Sequence, residues 1–285
     1  LRTNMATSNR NYRLGLYEKA MPAQLSWGEK LAFAKQCGFD FLELSVDESE
    51  QKLARLCFGD REISELHRTM DGEGIYFESI CLSGHRKYPL GSHDERTRAR
   101  GMEIMRGAIE LSCRVGIRII QLAGYDVYYE DSDAFTRRLF EENLQKSVEY
   151  AEKYGVVLAF ETMETPFMNT IGKALRYVKK IQSPYLKVYP DTGNITNSGT
   201  DIEADIAAGK GEIVAAHLKE TKPGVFREVK FGSGHVDFAK AVRAYRSANV
   251  RKFLAEMWCT GEQWRQEIAE ANAYLRGYLD REFQS

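Results

Sequence analysis

Four residues of metal-binding type occur at the ends of four consecutive apolar runs in the second half of the chain. They are Glu161 after VVLAF, Asp191 after YLKVYP, His217 within IVAAHLKE and Glu256 within KFLAEMW. Three carboxylates and one imidazole form an oxygen-rich ligand set with one nitrogen, which suits Mn²⁺ or Zn²⁺ better than a soft, thiol-seeking metal. We therefore predict that these four residues hold one divalent metal ion, zinc or manganese.

The run that ends in Glu161 shows how such a side chain is aimed. Side chains alternate between the two faces of a strand, so Glu161 shares a face with Ala159 and Val157, whereas Phe160 and Leu158 face the opposite way. A single carboxylate at a strand end is more often a helix cap or half of a salt bridge. Its recurrence at the same late position of four adjacent strands favours the metal site instead.

Eight short runs rich in branched and aromatic residues alternate with helical segments. The runs begin at Tyr12, Phe39, Ile75, Ile117, Val156, Tyr185, Ile213 and Lys252. Eight such βα repeats predict an α/β fold, a (β/α)8 TIM barrel in a single domain, with active-site residues at the carboxyl ends of the strands. A doubly wound open sheet fits less well, because YEKAMPAQ follows the first strand where a glycine-rich phosphate turn would stand. The barrel is predicted over residues 12–285, with residues 1–11 as an N-terminal extension.

The helical segments carry the expected signals. The segment from Trp27 and the segment that ends RVG both stop at a glycine, Gly38 and Gly116, which is typical of a helix C-terminus. In the segment DAFTRRLFEENLQKSVEYAEKYG the apolar residues recur at helical spacing and predict one face that packs on the sheet. This face consists of Phe135, Leu139, Phe140, Leu144, Val148 and Ala151.

Composition narrows the classes of partner. The chain has 285 residues with 40 Lys and Arg against 41 Asp and Glu, and no basic tract indicates nucleic-acid binding. The five cysteines include no CxxC pair, so we expect reduced thiols and a cytoplasmic protein. No apolar run is long enough to span a bilayer, and neither a signal peptide nor a membrane partner is predicted. A small polar substrate fits this balance.

Several longer stretches, in order along the chain, resemble one family. The stretches LGLYEKAMP, CGFDFLELSVDES, ICLSGHRKYPLGS, IQLAGYDVYYED, YPDTGN, HLKET and FLAEMW are similar to those of the L-ribulose-5-phosphate 3-epimerases. These enzymes, also called L-xylulose-5-phosphate 3-epimerases, act in bacterial L-ascorbate and pentose catabolism and are xylose-isomerase-like TIM barrels. The resemblance implies the metal ligands already named, with Glu161 and Glu256 also serving as the acid and base pair. It further implies a substrate contact from Arg227 after the seventh strand, and, because such barrels commonly self-associate, a homodimer.

The chain departs from the related epimerases of free sugars at two positions. Asn194 stands where they have a histidine three residues past the metal aspartate, and Phe167 replaces a glutamate six residues past the first ligand. Asn194 is therefore predicted to contact the substrate in a different way, and Glu164 is a further candidate for substrate contact.

The implied reaction is epimerisation at C3 of a ketopentose 5-phosphate. A proton next to a carbonyl must be removed from one face and returned to the other through an enediolate, which requires two acid/base groups. A cation that chelates the sugar oxygens stabilises the charge that builds on the carbonyl oxygen. The two glutamates meet the first requirement and the predicted metal ion meets the second.

The phosphate needs cationic or backbone donors, and the sequence offers two sites. One is His85, Arg86 and Lys87 after the third strand, where a solvated loop is the alternative, and the other is the glycine-rich FGSGH at 231–235. Lys219 and Glu220, just past His217, are predicted either to act near the substrate or to form a surface ion pair. Glu43 and Glu78, placed at the ends of strands two and three, could reach the cavity but have no evident charge partner.

Three other functions remain as alternatives. An aldose–ketose isomerase, such as a hexulose-6-phosphate isomerase, would use a similar metal site to move hydrogen between C1 and C2. An abasic-site endonuclease would need more histidines at late strand ends and a cationic track for the nucleic-acid backbone. A non-catalytic sugar-phosphate binding protein would have no need for two glutamates on opposite sides of the site.

Overall fold

Eight parallel strands form the centre of the fold in a computed structural model that describes residues 10–283. The strand order β6-β5-β4-β3-β2-β1-β8-β7 closes into a ring, because the bridges Val188 to Ile213 and Asp191 to His217 join its two ends. All eight predicted strands are confirmed. Their bounds are Arg13–Tyr17 (β1), Phe41–Val46 (β2), Phe77–Leu82 (β3), Ile119–Ala123 (β4), Val157–Glu161 (β5), Leu186–Val188 (β6), Ala216–Leu218 (β7) and Lys252–Ala255 (β8).

The helices surround this ring and follow the strands that they connect. Their bounds are Trp27–Gln36 (α1), Glu50–Leu53 (α2), Asp60–Glu73 (α3), Glu95–Val115 (α4), Ala134–Tyr154 (α5), Ile171–Ile181 (α6), Thr192–Ser198 (α7), Ile202–Ala208 (α8), Phe238–Ser247 (α9) and Trp264–Phe283 (α10). Short 3₁₀ turns occur at Glu18–Ala20, Ala54–Cys57 and Gly84–Arg86. Helix α4 ends at Gly116 with φ of 87°, as the sequence predicts. Within residues 10–283, no helix has the length and apolar character to cross a membrane.

The alternation predicted for β5 is confirmed. Phe160 and Leu158 belong to the apolar layer between strands and helices, where the Phe160 ring lies 6.2 Å from that of Phe140 on α5. Ala159 packs inside the barrel with Tyr189. Because Glu161 shares the inner face with Ala159, its side chain points inward at the carboxyl end of the strand. Barrel enzymes have their active sites at this end.

The predicted apolar face of α5 needs one correction. Phe135 is 44% exposed, and its ring stacks on His93 instead of on the sheet. Thr136 is the buried residue of this first turn, where its hydroxyl donates to Asp126 at 2.7 Å. Asp133 caps the N-terminus of this helix, and its carboxylate accepts from backbone N–H groups of the first turn. The capping geometry and not apolar spacing therefore sets which side chain faces inward.

Most of the predicted N-terminal extension lies outside the described residues. Its last two residues are held against the C-terminal half of the barrel. Arg10 donates to Asp280 at 2.9 Å, and Arg251 donates to the backbone oxygen of Asn11 at 3.2 Å.

Candidate active site and metal centre

The carboxyl ends of β5 to β8 bring four side chains to one point inside the barrel mouth. Glu161 is the last residue of β5, Asp191 caps α7 just after β6, His217 lies in β7, and Glu256 follows β8. All four are buried, and each offers a ligand atom that lies within 4.8 Å of the others. The sequence predicted this set, and the structure brings all of it together.

The polar atoms of this cluster that make no hydrogen bond indicate whether a cation fits among the four side chains. His217 Nδ1 lies 3.1 Å from Glu256 Oε2, 3.6 Å from Glu161 Oε1 and 3.9 Å from Asp191 Oδ2. His217 Nδ1, Asp191 Oδ2 and Glu256 Oε2 are nevertheless buried atoms that make no hydrogen bond, although the ammonium of Lys219 lies within ion-pair distance of the two carboxylate oxygens. Buried polar atoms are normally satisfied, so several that face one another without hydrogen bonds fit a bound cation, which would contact all of them. Three carboxylates with one imidazole nitrogen suit a divalent cation.

The electrostatics of the cluster agree with this fit. Burial raises the pKa of Asp191 well above its usual range, even beside Lys219. Burial also outweighs the attraction of His217 and raises the pKa of Glu161, to which the nearby Glu256 adds. Burial opposes ionisation of Glu256, yet Lys219 and His217 outweigh it and hold the pKa of Glu256 well below its usual range. Burial therefore favours the protonated forms of Asp191 and Glu161, and a bound cation would displace those protons.

His217 is oriented by a carboxylate beneath it. Glu43 Oε1 lies 2.8 Å from His217 Nε2, and the hydroxyl of Ser79 donates to Glu43 Oε2 at 2.6 Å. This pairing leaves Nδ1 of the imidazole toward the cluster, the arrangement that fixes a metal-binding histidine. Glu43 lies in the middle of β2 and not at its end, where the sequence predicted it. Its pairing with His217 could not be found from sequence, because 174 residues separate the two.

Glu78, the second glutamate with no predicted partner, lies at the other end of the barrel. It is the second residue of β3 and pairs with Arg13 and with Lys252. The prediction that Glu78 stands at the end of its strand is therefore wrong, because the strand continues to Leu82.

Glu43→Gln is expected to weaken cation binding by about 10- to 100-fold, the usual effect of losing a carboxylate behind a ligating histidine. The neutral amide keeps the volume of the side chain but no longer increases the basicity of the imidazole. Competition with a chromophoric chelator measures the affinity. Glu78→Gln is the matched control and leaves the affinity unchanged, and equal affinities of the Glu43 variant and the parent would show that the pairing does not act on the metal.

A cavity of about 110 Å³ opens above the four-residue cluster. Glu161 and Glu256 form part of its wall, together with the predicted substrate residues Arg86, Glu164, Asn194, Lys219 and Arg227. The other side chains that line it were not among the predicted site residues, and they come from β1, β3 and the turns after them and from the loops after β5, β7 and β8. These are Tyr17, Lys19, Cys81, Ser83, Met163, Phe226 and Trp258.

Lys219 is a buried part of this site and not a surface residue. Its Nζ lies 3.0 Å from Asp191 Oδ2 and 3.6 Å from Glu256 Oε2, and it donates to Asn194 Oδ1 at 2.8 Å. Burial disfavours the ammonium, but Asp191 and Glu256 outweigh that cost and raise the pKa of Lys219. Asn194 is fixed in turn, because its Nδ2 donates to the backbone oxygen of Thr162.

Glu164 connects two loops at the far side of the cavity. Its carboxylate accepts a hydrogen bond from the hydroxyl of Tyr125, and Arg227 Nη2 lies 3.4 Å from its other oxygen. The guanidinium of Arg86 lies 5.0 Å from the centre of the Tyr128 ring, and its buried Nε has no hydrogen-bond partner. Two arginines therefore face the cavity, and Arg86 retains an unused donor.

Two predicted phosphate contacts do not fit the structure. His85 is 4% exposed and binds the backbone oxygen of Gly101 with Nε2 at 3.0 Å, because the 3₁₀ turn that carries it directs Arg86, not His85, to the cavity. In the FGSGH loop, the N–H of Gly232 is taken by Glu220 Oε2 at 3.0 Å. The N–H of His235 donates to Thr221, so neither of these amides is available to a phosphate.

His85 makes the folded protein sensitive to acid. Burial lowers the pKa of His85 from 6.5 to about 4. Above the ordinary pKa the imidazole is neutral in both states, but as the pH falls toward the folded pKa only the unfolded chain gains a proton, and the free energy of unfolding decreases. The loss is on the order of 3 kcal/mol. Urea unfolding from neutral pH down to the folded pKa is expected to show a shallower decrease for His85→Asn. Parallel curves for the variant and the parent would contradict this assignment.

Sequence comparison decides the family. The family model described as xylose isomerase-like TIM barrel matches residues 31–278. The chain belongs to the xylose isomerase-like TIM barrel family. Membership confirms the single-domain (β/α)8 barrel predicted from the strand pattern. A curated relative, the L-ribulose-5-phosphate 3-epimerase UlaE of Escherichia coli O139:H28, is 46% identical over 268 residues, which are 93% of this chain and 94% of the relative.

Solved structures show the same fold. An L-ribulose 3-epimerase superposes with a TM-score of 0.75 at 18% identity, covering 96% of this chain and 95% of the other. A xylose isomerase-like TIM barrel protein from Mycobacterium smegmatis in complex with magnesium superposes with a TM-score of 0.70 at 17% identity, covering 96% and 98%. The curated relative confirms the resemblance seen in the sequence and the prediction of an isomerase of the epimerase type.

Proposed function

We propose that this chain catalyses metal-dependent epimerisation at C3 of a ketopentose 5-phosphate, interconverting L-ribulose 5-phosphate and L-xylulose 5-phosphate. The observation that carries the proposal is the pair Glu161 and Glu256, which enter one cation-binding cluster from β5 and β8 and also line the cavity above it. The relative with 46% identity, which bears the name of this activity, supports the choice of substrate.

The proposed mechanism divides the work between the two glutamates. One carboxylate removes the C3 proton from its face of the sugar, the other delivers a proton to the opposite face, and the roles exchange in the reverse direction. When bound by Glu161, Asp191, His217 and Glu256, a divalent cation, zinc or manganese, would supply Lewis-acid stabilisation of charge on the sugar oxygens. Asp191 and His217 serve only as metal ligands and carry no proton in this mechanism. Lys219, between Asp191 and Glu256, adds a fixed positive charge and keeps Glu256 ionised.

The phosphate is proposed to lie at the Arg86 end of the cavity. Arg86 Nε is the buried donor there without a hydrogen-bond partner, and Lys19 and Ser83 also line the cavity. Glu164, Arg227 and Asn194 then face the sugar hydroxyls. Of the predicted basic group after β3, Arg86 alone takes the substrate role, because His85 is turned away.

The proposal extends to the partners and the location of the protein. The partner is a small sugar phosphate, with neither nucleic acid nor membrane, and the chain acts in the cytoplasm as a homodimer. The described cysteines are all free, which agrees with a reducing compartment.

Product analysis tests the proposed reaction. Purified protein with added Mn²⁺ or Zn²⁺ is incubated with L-ribulose 5-phosphate, and the dephosphorylated sugars are separated by chromatography. The proposal expects L-xylulose as the new sugar. An aldose as the new product would instead identify an aldose–ketose isomerase.

A further inference from the structure

The loop after β7, residues 221–235 (the β7 loop), carries two side chains to the cavity. Phe226 and Arg227 both line it, although they lie in the middle of a connection without helix or strand. Near its start the loop turns back through reciprocal backbone hydrogen bonds between Lys222 and Val225. The position of Arg227 therefore depends on how the rest of the loop is held.

Arg227 is not held by its own contacts. Its side chain is 43% exposed, and its described ion pair is the single 3.4 Å contact to Glu164. An exposed pair at this distance contributes little to the order of a long side chain. The backbone that carries Arg227 must supply the order.

Glu220 supplies that order at the base of the loop. It is 2% exposed, and its described hydrogen bonds all come from backbone N–H groups of this region. The N–H of Gly232 donates to Oε2 at 3.0 Å. The N–H of Val236 donates to Oε1 at 3.1 Å, and that of Thr221 donates to Oε1 at 3.2 Å. One buried carboxylate thus joins Thr221, the first residue of the β7 loop, to Gly232 near its end and to Val236 directly after it. Charge-assisted bonds of this kind are stronger than neutral ones.

The sequence of the loop is adapted to this carboxylate. Gly232 has φ of 81°, a conformation that favours glycine. A Cβ on Gly234 would lie 2.2 Å from Glu220 Oε1 and 2.1 Å from the backbone oxygen of Thr221. The loop can therefore wrap around Glu220 only with glycine at these positions, and the glycine-rich FGSGH segment serves this packing.

We propose that Glu220 is a positioning residue for substrate binding, which acts through Arg227 by fixing the β7 loop. This inference rests on the proposed epimerase function, because the substrate must be the sugar phosphate that Arg227 contacts. Glu220 itself does not line the catalytic cavity. The described hydrogen bonds of its carboxylate go to backbone N–H groups of the loop region and none goes to Glu161 or Glu256, so its effect is expected on substrate affinity and not on proton transfer.

A double-mutant cycle on epimerisation tests the proposal. Glu220→Gln is expected to raise KM by about tenfold, because one buried N–H loses its acceptor. The kcat should stay within about twofold, since the proton carriers are untouched. In an Arg227→Ala background the same substitution should change KM by less than about twofold, because the contact it orders is already absent. An equal KM increase in both backgrounds, or a lower kcat at unchanged KM, would overturn the inference.

Limited trypsin digestion gives a second measurement that does not depend on activity. Cleavage after Arg227 and Lys230 is expected to be about tenfold faster in Glu220→Gln than in the parent, since the loop opens more often. Glu262→Gln is the control, because Glu262 is an exposed glutamate outside the β7 loop and is not next to either cleavage site, and it should leave both KM and cleavage unchanged. Unchanged cleavage in the Glu220 variant would contradict the anchoring role.

Two further outcomes keep the proposals separate. If Glu220→Gln does not fold, Glu220→Asp retains the charge while shortening its reach to Gly232 and Val236, and the same KM and trypsin results are expected. If the parent enzyme shows no epimerisation, the proposed function fails, and the trypsin result alone still decides whether Glu220 fixes the loop.

Discussion

Glu161→Gln and Glu256→Gln are each expected to lower the rate of C3 epimerisation by about 10²- to 10⁴-fold, the usual contribution of a positioned acid or base. Either substitution leaves one face of the sugar without a group that can exchange a proton. Glutamine retains an amide oxygen in the same place, so shape and burial change little. The measurement is the steady-state rate with L-ribulose 5-phosphate at saturating cation, followed by chromatography of the epimers.

Glu262→Gln is the control for these variants, because Glu262 is an exposed glutamate of the same β8 connection. The cation content of each variant is measured as well, since both glutamates also belong to the cation-binding cluster. A variant that retains its metal and epimerises at the parental rate would remove that glutamate from the proposed mechanism.

The second large effect is the loss of the cation from Asp191→Asn. In the parent, a cation at about 100 times its Kd stabilises the folded state by about 2.7 kcal/mol, which raises Tm by about 5 °C in a chain of this size. Asparagine can still accept from the N–H of Asn194, the contact that caps α7 at 2.7 Å, but it brings no charge to the cation. The variant is therefore expected to fold and to show neither the cation-dependent Tm shift nor activity.

Differential scanning fluorimetry with and without Mn²⁺ or Zn²⁺ measures this shift. Asp201→Asn is the matched control, because Asp201 caps the neighbouring helix α8, is exposed and does not belong to the buried cluster. A full Tm shift in Asp191→Asn would show that the cation binds elsewhere.

The fold and the metal ligands could be predicted because both depend on local patterns. Each strand can be recognised from its own short run of apolar residues. The alternation of side chains within VVLAFE then places Glu161 on the inner face before any tertiary contact is known. The (β/α)8 topology then brings the carboxyl ends of successive strands to one place. Glu161, Asp191, His217 and Glu256 follow from these two steps.

Contacts between distant segments could not be predicted in this way. Glu43 meets His217 across the barrel interior, and no sequence signal connects residues on β2 and β7. The direction of a side chain in an irregular segment is equally hidden. His85 and Arg86 are adjacent, but the 3₁₀ turn buries one and directs the other to the cavity. The FGSGH segment has the composition of a phosphate loop, whereas its Gly232 amide donates to Glu220, a carboxylate of the chain itself.

The most direct test of the proposed function is deuterium incorporation at C3 of L-ribulose 5-phosphate in D₂O, followed by NMR with and without a chelator. Proton removal by one glutamate and return by the other predicts that deuterium appears at C3 of both epimers and not at C1. The chelator should abolish this exchange, and added Mn²⁺ or Zn²⁺ should restore it. Epimer formation without deuterium at C3, or exchange that continues at full rate in the chelator, would contradict the account.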